Sequence, residues 1–245
     1  MTRIFFSFIL GFLLLASCRT GYMVEGNSTI SELDGKKLYL KAFCDSDLVN
    51  VDSCDVLHGK FSFSGEVDSM VMVNLFMGNE CLMPFVLGPE EDLVIHLESA
   101  RQYVTGSALN DTLYNFIQAK TRLDNELAEL PHKETQMIMD GVDEDIITLR
   151  LNDEANRLAV MHDRLVTDFI VDNSDNVLGP GVFMIMTSSY PYPVMTPLIE
   201  EIMSKVSATF KANDYVRKYM EMAKENMKQM GYGSDIPVGD SSQSE

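Results

Sequence analysis

Four cysteines, four histidines and seventeen methionines are the side chains of this sequence best suited to chemistry, and their spacing restricts what that chemistry is. Cys18, Cys44, Cys54 and Cys81 contain no Cys-x-x-Cys pair, so a thioredoxin-type centre lacks its attacking and resolving thiols. His58, His96, His132 and His162 lie far apart, with no cysteine or histidine at metal-ligand spacing. His162, near the apolar face of a helical pattern, reads as a hydrogen-bonded core or boundary residue. Asp172, Ser174 and Asn176 follow the first half of a calcium loop, but Val177 takes the glycine position and Phe183 that of the bidentate glutamate. A helix stop and cap fits them better. Thioethers suit Cu(I), and Met220, Met227 and Met230 share a helical face, yet the same spacing serves packing or an adaptable partner groove. Glu90-Glu91-Asp92 and Asp143-Glu144-Asp145 lack the remote partners of a hydrolytic pair and read as solvated turns and faces. No Gly-x-Ser-x-Gly elbow, nucleotide loop or cofactor motif is present. The expectation is a protein that binds, with no cofactor and no catalytic residues.

Cys18 has a different use. Residues 1–17 begin with Arg3, run apolar from Ile4 to Ala16 and end in small residues, the layout of a secretory signal. The run is shorter than the about 20 apolar residues of a membrane-spanning helix. Leu15-Ala16-Ser17-Cys18 resembles a bacterial lipobox, and the resemblance implies cleavage before Cys18 and lipidation of it. An ordinary signal peptide with a chance cysteine near its cleavage site is the alternative. Several acyl chains on one cysteine give durable attachment, since each buried methylene contributes about 0.8 kcal/mol. The membrane partner is thus reached through the N-terminal lipid.

Composition bounds the rest. Loss of Arg3 with the signal takes the formal charge from −18 to −19, which repels phosphate backbones and anionic lipid surfaces alike. Nucleic acid is excluded as a partner on that ground. With 46% hydrophobic and 9% aromatic residues the chain has material for a buried core. Outside the cytoplasm a disulfide persists. If Cys44 and Cys54 lie on paired strands they could close a short loop worth roughly 3 kcal/mol; otherwise Cys44, Cys54 and Cys81 are small buried thiols.

The elements that would position these residues change character midway. Residues 38–43 read as a strand after the Asp34-Gly35 turn, and Val49, Val51 and Ser53 alternate toward His58-Gly59. Phe61, Phe63, Gly65 and Val67 alternate with Ser62, Ser64 and Glu66, a hairpin with one wet face and both rings buried. Residues 70–77 and 82–87 read as more heavily buried strands, and Leu93, Ile95 and Leu97 follow the Gly88-Pro89-Glu90-Glu91 turn. About seven short strands in about 80 residues indicate an antiparallel sandwich or small barrel. From Asn110 the period becomes helical through Leu113, Phe116, Ile117, Leu123 and Leu127, with Pro131 as exit. A second helix runs from about Glu134 to Phe169, interrupted at Gly141. After a stop at 172–176 come an apolar helix at 177–186, the stiff connector Tyr190-Pro191-Tyr192-Pro193, a helix opened by Thr196-Pro197, and a last helix from about Asp214 to Met230. The expected class is α+β: a signal peptide at 1–17, a β-sandwich-like domain at 18–104, a helical domain at 105–230 and a loose tail at 231–245.

Four ordered segments carry a family resemblance. They are Leu33-Asp34-Gly35-Lys36-Lys37-Leu38-Tyr39-Leu40, Asp52-Ser53, Gly59-Lys60-Phe61-Ser62-Phe63-Ser64-Gly65 and Val104-Thr105-Gly106-Ser107-Ala108-Leu109-Asn110-Asp111. Together they resemble the uncharacterised β-rich N-terminal domain of Bacteroidetes lipoproteins, which often precedes a thioredoxin-like or peroxiredoxin-like domain. The resemblance covers roughly residues 21–111, and the stretch to about 229 is similar to the region joining that domain to the redox domain. It implies that the redox domain is missing here, since the sequence ends soon after Ile236-Pro237-Val238-Gly239-Asp240, and no cysteine pair carries over. The functional expectation is an envelope-tethered, non-catalytic binding or scaffold lipoprotein for an envelope protein or small ligand. An accessory of a periplasmic thiol-redox or peroxide-defence system is the alternative. Surface-export tethers in such lipoproteins tend to be acidic just after the anchor, whereas here Arg19 follows Cys18 with no acidic run, so the resemblance implies the periplasmic face of the outer membrane.

Overall fold

Alternation builds the first layer. Phe61 and Phe63 bury their rings on one face of their strand while Ser62 and Ser64 stay wet. The computed structural model describes residues 21–44 and 47–230. Eight strands come first: β1 (Gly21–Ser28), β2 (Lys37–Cys44), β3 (Asp47–Asp55), β4 (Lys60–Glu66), β5 (Val71–Met77), β6 (Glu80–Leu87), β7 (Asp92–Leu97) and β8 (Gln102–Thr105). They form two four-stranded sheets, ordered β4-β1-β7-β8 and β3-β2-β5-β6. The class is α+β, as the sequence indicates. One pairing departs from the antiparallel expectation: β1 runs parallel to β7, because the chain passes through β5 and β6 of the second sheet after β4 and re-enters the first sheet on the other side of β1, from the end where β1 begins.

Between the sheets lie Leu38, Leu40, Phe63, Leu75, Phe85 and Ile95, all fully buried. Gly26 stands opposite Phe61 in the β1–β4 register, and a Cβ there would fall 2.1 Å from the ring, so the glycine makes the ring's seat. His58 and Gly59 both take positive φ, 54° and 72°, while Leu57 and Lys60 exchange backbone bonds of 2.8 and 3.0 Å across them. This is the two-residue turn whose twist matches the flanking strands.

Open strand edges invite unwanted pairing, and here side chains engage three of the four, β3, β4 and β6. The Ser64 N–H on β4 donates to Asp52 Oδ2 of β3 at 3.3 Å. On β6 the outward groups are met by the first helix, α1 (Ala108–Ala128). The Val86 N–H donates to Asn110 Oδ1 at 2.8 Å, the Asn110 amide donates back to the Val86 carbonyl at 2.9 Å, and Tyr114 donates to the Pro84 carbonyl at 2.7 Å. Residues 84 and 86 share one side of the strand, and 110 and 114 share one face of the helix. Pro84 fits because its absent N–H points to this edge and away from the ladder.

After α1 the chain continues through the helical Glu129 into α2 (Leu130–Met139), with Pro131 in its first turn, where a missing N–H is harmless. Gly141, at φ 72°, ends α2: its N–H reaches the Ile138 carbonyl and the Val142 N–H the Met137 carbonyl, both at 3.0 Å. This is the left-handed helix stop that glycine favours. Then α3 (Glu144–Asp172) returns along α1 and α2 over 29 residues, about 43 Å at 1.5 Å per residue. Four more helices follow among the described residues: α4 (Leu178–Thr187), α5 (Pro197–Lys205), α6 (Ala208–Ala212) and α7 (Asp214–Gln229). Thr196 caps α5 through the Ile199 N–H as the sequence anticipates, whereas α6, capped by Ser207, is too short to leave a periodic signal.

The helices build a second core of Leu113, Phe116, Val166, Ile170, Phe183 and Phe210, to which the outer face of the second sheet adds Met72 and Val86. Strands β5 and β6 are therefore buried on both faces, which explains their nearly continuous apolar sequence. Registers fix which loops share an end. Gly21 pairs with Glu66, Met23 with Asp92 and Val71 with Leu87, so the start of β1, residues 67–70, residues 88–91 and the β2–β3 pair at Phe43 and Leu48 lie at one end. There α1 begins, and it runs down β6 toward the other end, where the α2–α3 turn projects.

Candidate functional site

Where the second sheet meets the helices, at the end where β1 begins, the chain leaves a groove of about 880 Å³. Phe43 from the β2–β3 hairpin, Met70 and Met72 at the start of β5, and Val177 and Met184 from α4 and its approach supply apolar walls. The polar groups at its rim are largely occupied. Asn176 Oδ1 accepts the Leu178 N–H at 2.8 Å and its amide donates to Asn173 Oδ1 at 3.0 Å. Asn213 Oδ1 accepts the N–H groups of Tyr215 and Val216 at 3.1 and 3.3 Å, and the Ser174 carbonyl accepts the Ser207 hydroxyl at 3.1 Å. Among the described lining residues only Asp175 is charged. No nucleophile stands beside a base here, so what the groove offers a ligand is apolar surface with a few helix-capping amides at the rim.

The residues singled out in the sequence scatter. Asp172, Ser174 and Asn176 sit where α3 stops and α4 starts, as a stop and cap. His96 stacks on Tyr103 with ring centroids 4.5 Å apart, and His162 Nδ1 lies 3.4 Å from its neighbour Asp163. Met220 packs into the helical core. Among the described residues, no group of three or more His, Cys, Asp or Glu side chains is placed to hold a metal ion. No described helix is long and apolar enough to cross a membrane. Cys18, the signal segment and the tail at 231–245 lie outside the described residues.

The Cys44–Cys54 bridge does not form. Both residues lie on the β2–β3 pair, but Cys54 faces Leu38 and Cys44 faces Asp47, six residues farther along β2. That separation is about 20 Å at roughly 3.4 Å per residue, against the about 7 Å limit for bridged Cα atoms. Cys54 and Cys81 are free thiols. Burial pushes the Cys54 thiol up to about 11, with the carboxylates of Asp52 and Asp55 adding to it and the Ser62 backbone opposing it. Cys81 is exposed as a residue, and partial desolvation of its thiol raises it in the same direction. Such thiols are held protonated, the opposite of a reactive cysteine.

Sequence reasoning missed Phe43, Met70 and Met184 as parts of one site. They come from three segments brought together only by the tertiary fold, and the one advance signal was the methionine content, which suits adaptable surfaces. A smaller cavity of about 210 Å³ lies against the Tyr-Pro-Tyr-Pro connector. There Tyr219 accepts the Val194 N–H at 3.1 Å and donates to its carbonyl at 3.0 Å, while Asn226 holds the Pro193 carbonyl at 2.9 Å. Those bonds fix the connector on α7.

Fold and groove together define a β-sandwich whose outer sheet face is covered by a helical unit, with a cleft where the two meet. Residues 22–113 match the model of a domain of unknown function, DUF4369, so the resemblance to an uncharacterised β-rich N-terminal domain is shown for this segment. The match spans the strands and ends one turn beyond the Asn110 clamp on α1. No curated protein matches the chain.

Proposed function

We propose that this protein is a non-catalytic binding lipoprotein of the cell envelope, tethered through Cys18 at the periplasmic face of the outer membrane, with the junction groove as its ligand site. The observation that carries the reading is the groove itself: about 880 Å³, apolar walls from separate elements, and rim amides already engaged in capping. A cleft of that size and lining suits a small apolar ligand, and it lacks the convergent titratable groups that catalysis needs. The anchor is supported by the apolar leader and the residues before Cys18. An accessory role in thiol redox or peroxide defence draws nothing from Cys54 or Cys81, whose thiols are held protonated.

The test has two arms. In cells, Cys18→Ala should move the protein from the membrane to the soluble fraction; retention in the membrane would remove the tether from the reading. With purified protein, the neutral apolar probe N-phenyl-1-naphthylamine should brighten on binding. Ala212→Trp, at an exposed position on the groove wall, should weaken that binding at least tenfold while leaving the fold intact. Equal binding by both proteins would place the ligand site elsewhere.

A further inference from the structure

Chain length places the anchor close to one end of the sandwich. Cys18 precedes the first residue of β1 by three positions, a reach of at most about 11 Å at roughly 3.6 Å per residue. The headgroup layer of one leaflet is about 5–8 Å thick, half the difference between the whole bilayer and its hydrocarbon core. A lipid on Cys18 therefore holds the Gly21 end of the sandwich at the headgroups. At this same end the β2–β3 hairpin extends beyond the part of β2 paired with β5, which stops at Ala42. Past the register shift of that hairpin, it exposes Leu48 (43%) and Val49 (47%), and Met70 (43%) stands exposed in the neighbouring connection. These apolar side chains have no described cover, and the chain's own tether brings a bilayer to them.

We propose that the Gly21 end, with Leu48, Val49 and Met70, is a membrane-contacting surface that seats in the headgroup layer of a zwitterionic leaflet. The inference rests on the lipid-anchor reading above. Its preference for lipid follows from charge: Glu66, Asp68, Glu90 and Asp92 ring the same end, so anionic headgroups are repelled while the ammonium groups of phosphatidylethanolamine are met by carboxylates. The junction groove opens at this end too, so its ligand would be exchanged beside the bilayer. The α2–α3 turn, at the far end, would point into the aqueous space.

The chain contains no tryptophan, which makes the test direct. The lipidated full-length mature protein carrying Leu48→Trp, or Leu149→Trp on the projecting arm as control, is reconstituted on vesicles of phosphatidylethanolamine and phosphatidylcholine containing a doxyl-labelled phosphatidylcholine. The expected result is an indole at position 48 with blue-shifted emission, quenched at least twofold by the doxyl lipid, an unquenched control, and weaker quenching when phosphatidylglycerol replaces part of the phosphatidylethanolamine. Protein that floats with the vesicles but shows equal emission at both positions would overturn the contact surface and leave the anchor standing. Protein that does not float would overturn both, because nothing would then hold the Gly21 end at a bilayer.

Discussion

The Asn110 side chain stands in for a further strand of the second sheet, since it satisfies both the N–H and the carbonyl of Val86 from a fully buried position. Leaving those two backbone groups without partners costs about 1–3 kcal/mol each. Asn110→Ala should therefore lower the unfolding free energy by roughly 2–6 kcal/mol, read from the urea midpoint at unchanged slope. Ser107, the residue immediately before α1, makes no capping bond with its side chain, and Ser107→Ala should change the midpoint little. Equal losses at both positions would show that the helix start, and not the clamp on β6, limits stability. Asn110 was legible as part of the segment resembling a family, but its role was not, because its partner lies 24 residues away. The cysteines show the same limit. A Cys44–Cys54 hairpin could be read from spacing, yet register along a strand pair is set by the buried face and the turn, and it places the two residues far apart.

Elements were legible where period or punctuation is local. Phe61 and Phe63 alternate and are buried; Gly141 interrupts the long helical pattern and takes the left-handed conformation that stops α2; Thr196-Pro197 opens α5. What stayed hidden depends on distant partners: the parallel β1–β7 pair, the short β8, and α6, whose five residues cannot show a 3.6 period. Gly26 is an element-scale feature of this kind, since its partner lies on another strand and only the structure shows it as the seat of the Phe61 ring. Any side chain there collides with the ring, and overpacking of a filled core costs about 1–3 kcal/mol. Gly26→Ala should lower stability by that amount, and combining it with Phe61→Leu should cost less than the sum of the two single changes. Strict additivity in that double-mutant cycle would mean the glycine is required for the backbone alone.

At the scale of the molecule, two cores share two strands. The inner faces of β5 and β6 give Val73, Leu75 and Phe85 to the sandwich, and their outer faces give Met72 and Val86 to the helices. Helix α1 adds a second link, since Tyr114 packs with the sandwich core and Leu113 with the helical one. Loss of the helical unit would uncover an apolar sheet face and free the β6 edge, so neither half can open without exposing the other. The sequence boundary near residue 105 marks a change of period along the chain, and the packing bridges it. Hydrogen exchange provides the test, because amides that open only by global unfolding report the same free energy wherever they lie. The slowest amides of β7, inside the sandwich, and of α7, inside the helical unit, should exchange with equal free energies. Met72→Ala, which removes a buried side chain from the joint, should lower both by about 2–5 kcal/mol. Val166→Ala, confined to the helical core, should lower the β7 amides as much as those of α7. If it weakened α7 alone, the shared strands would be a contact between two separately folding units, and the groove between them would open and close with the fraying of the helices.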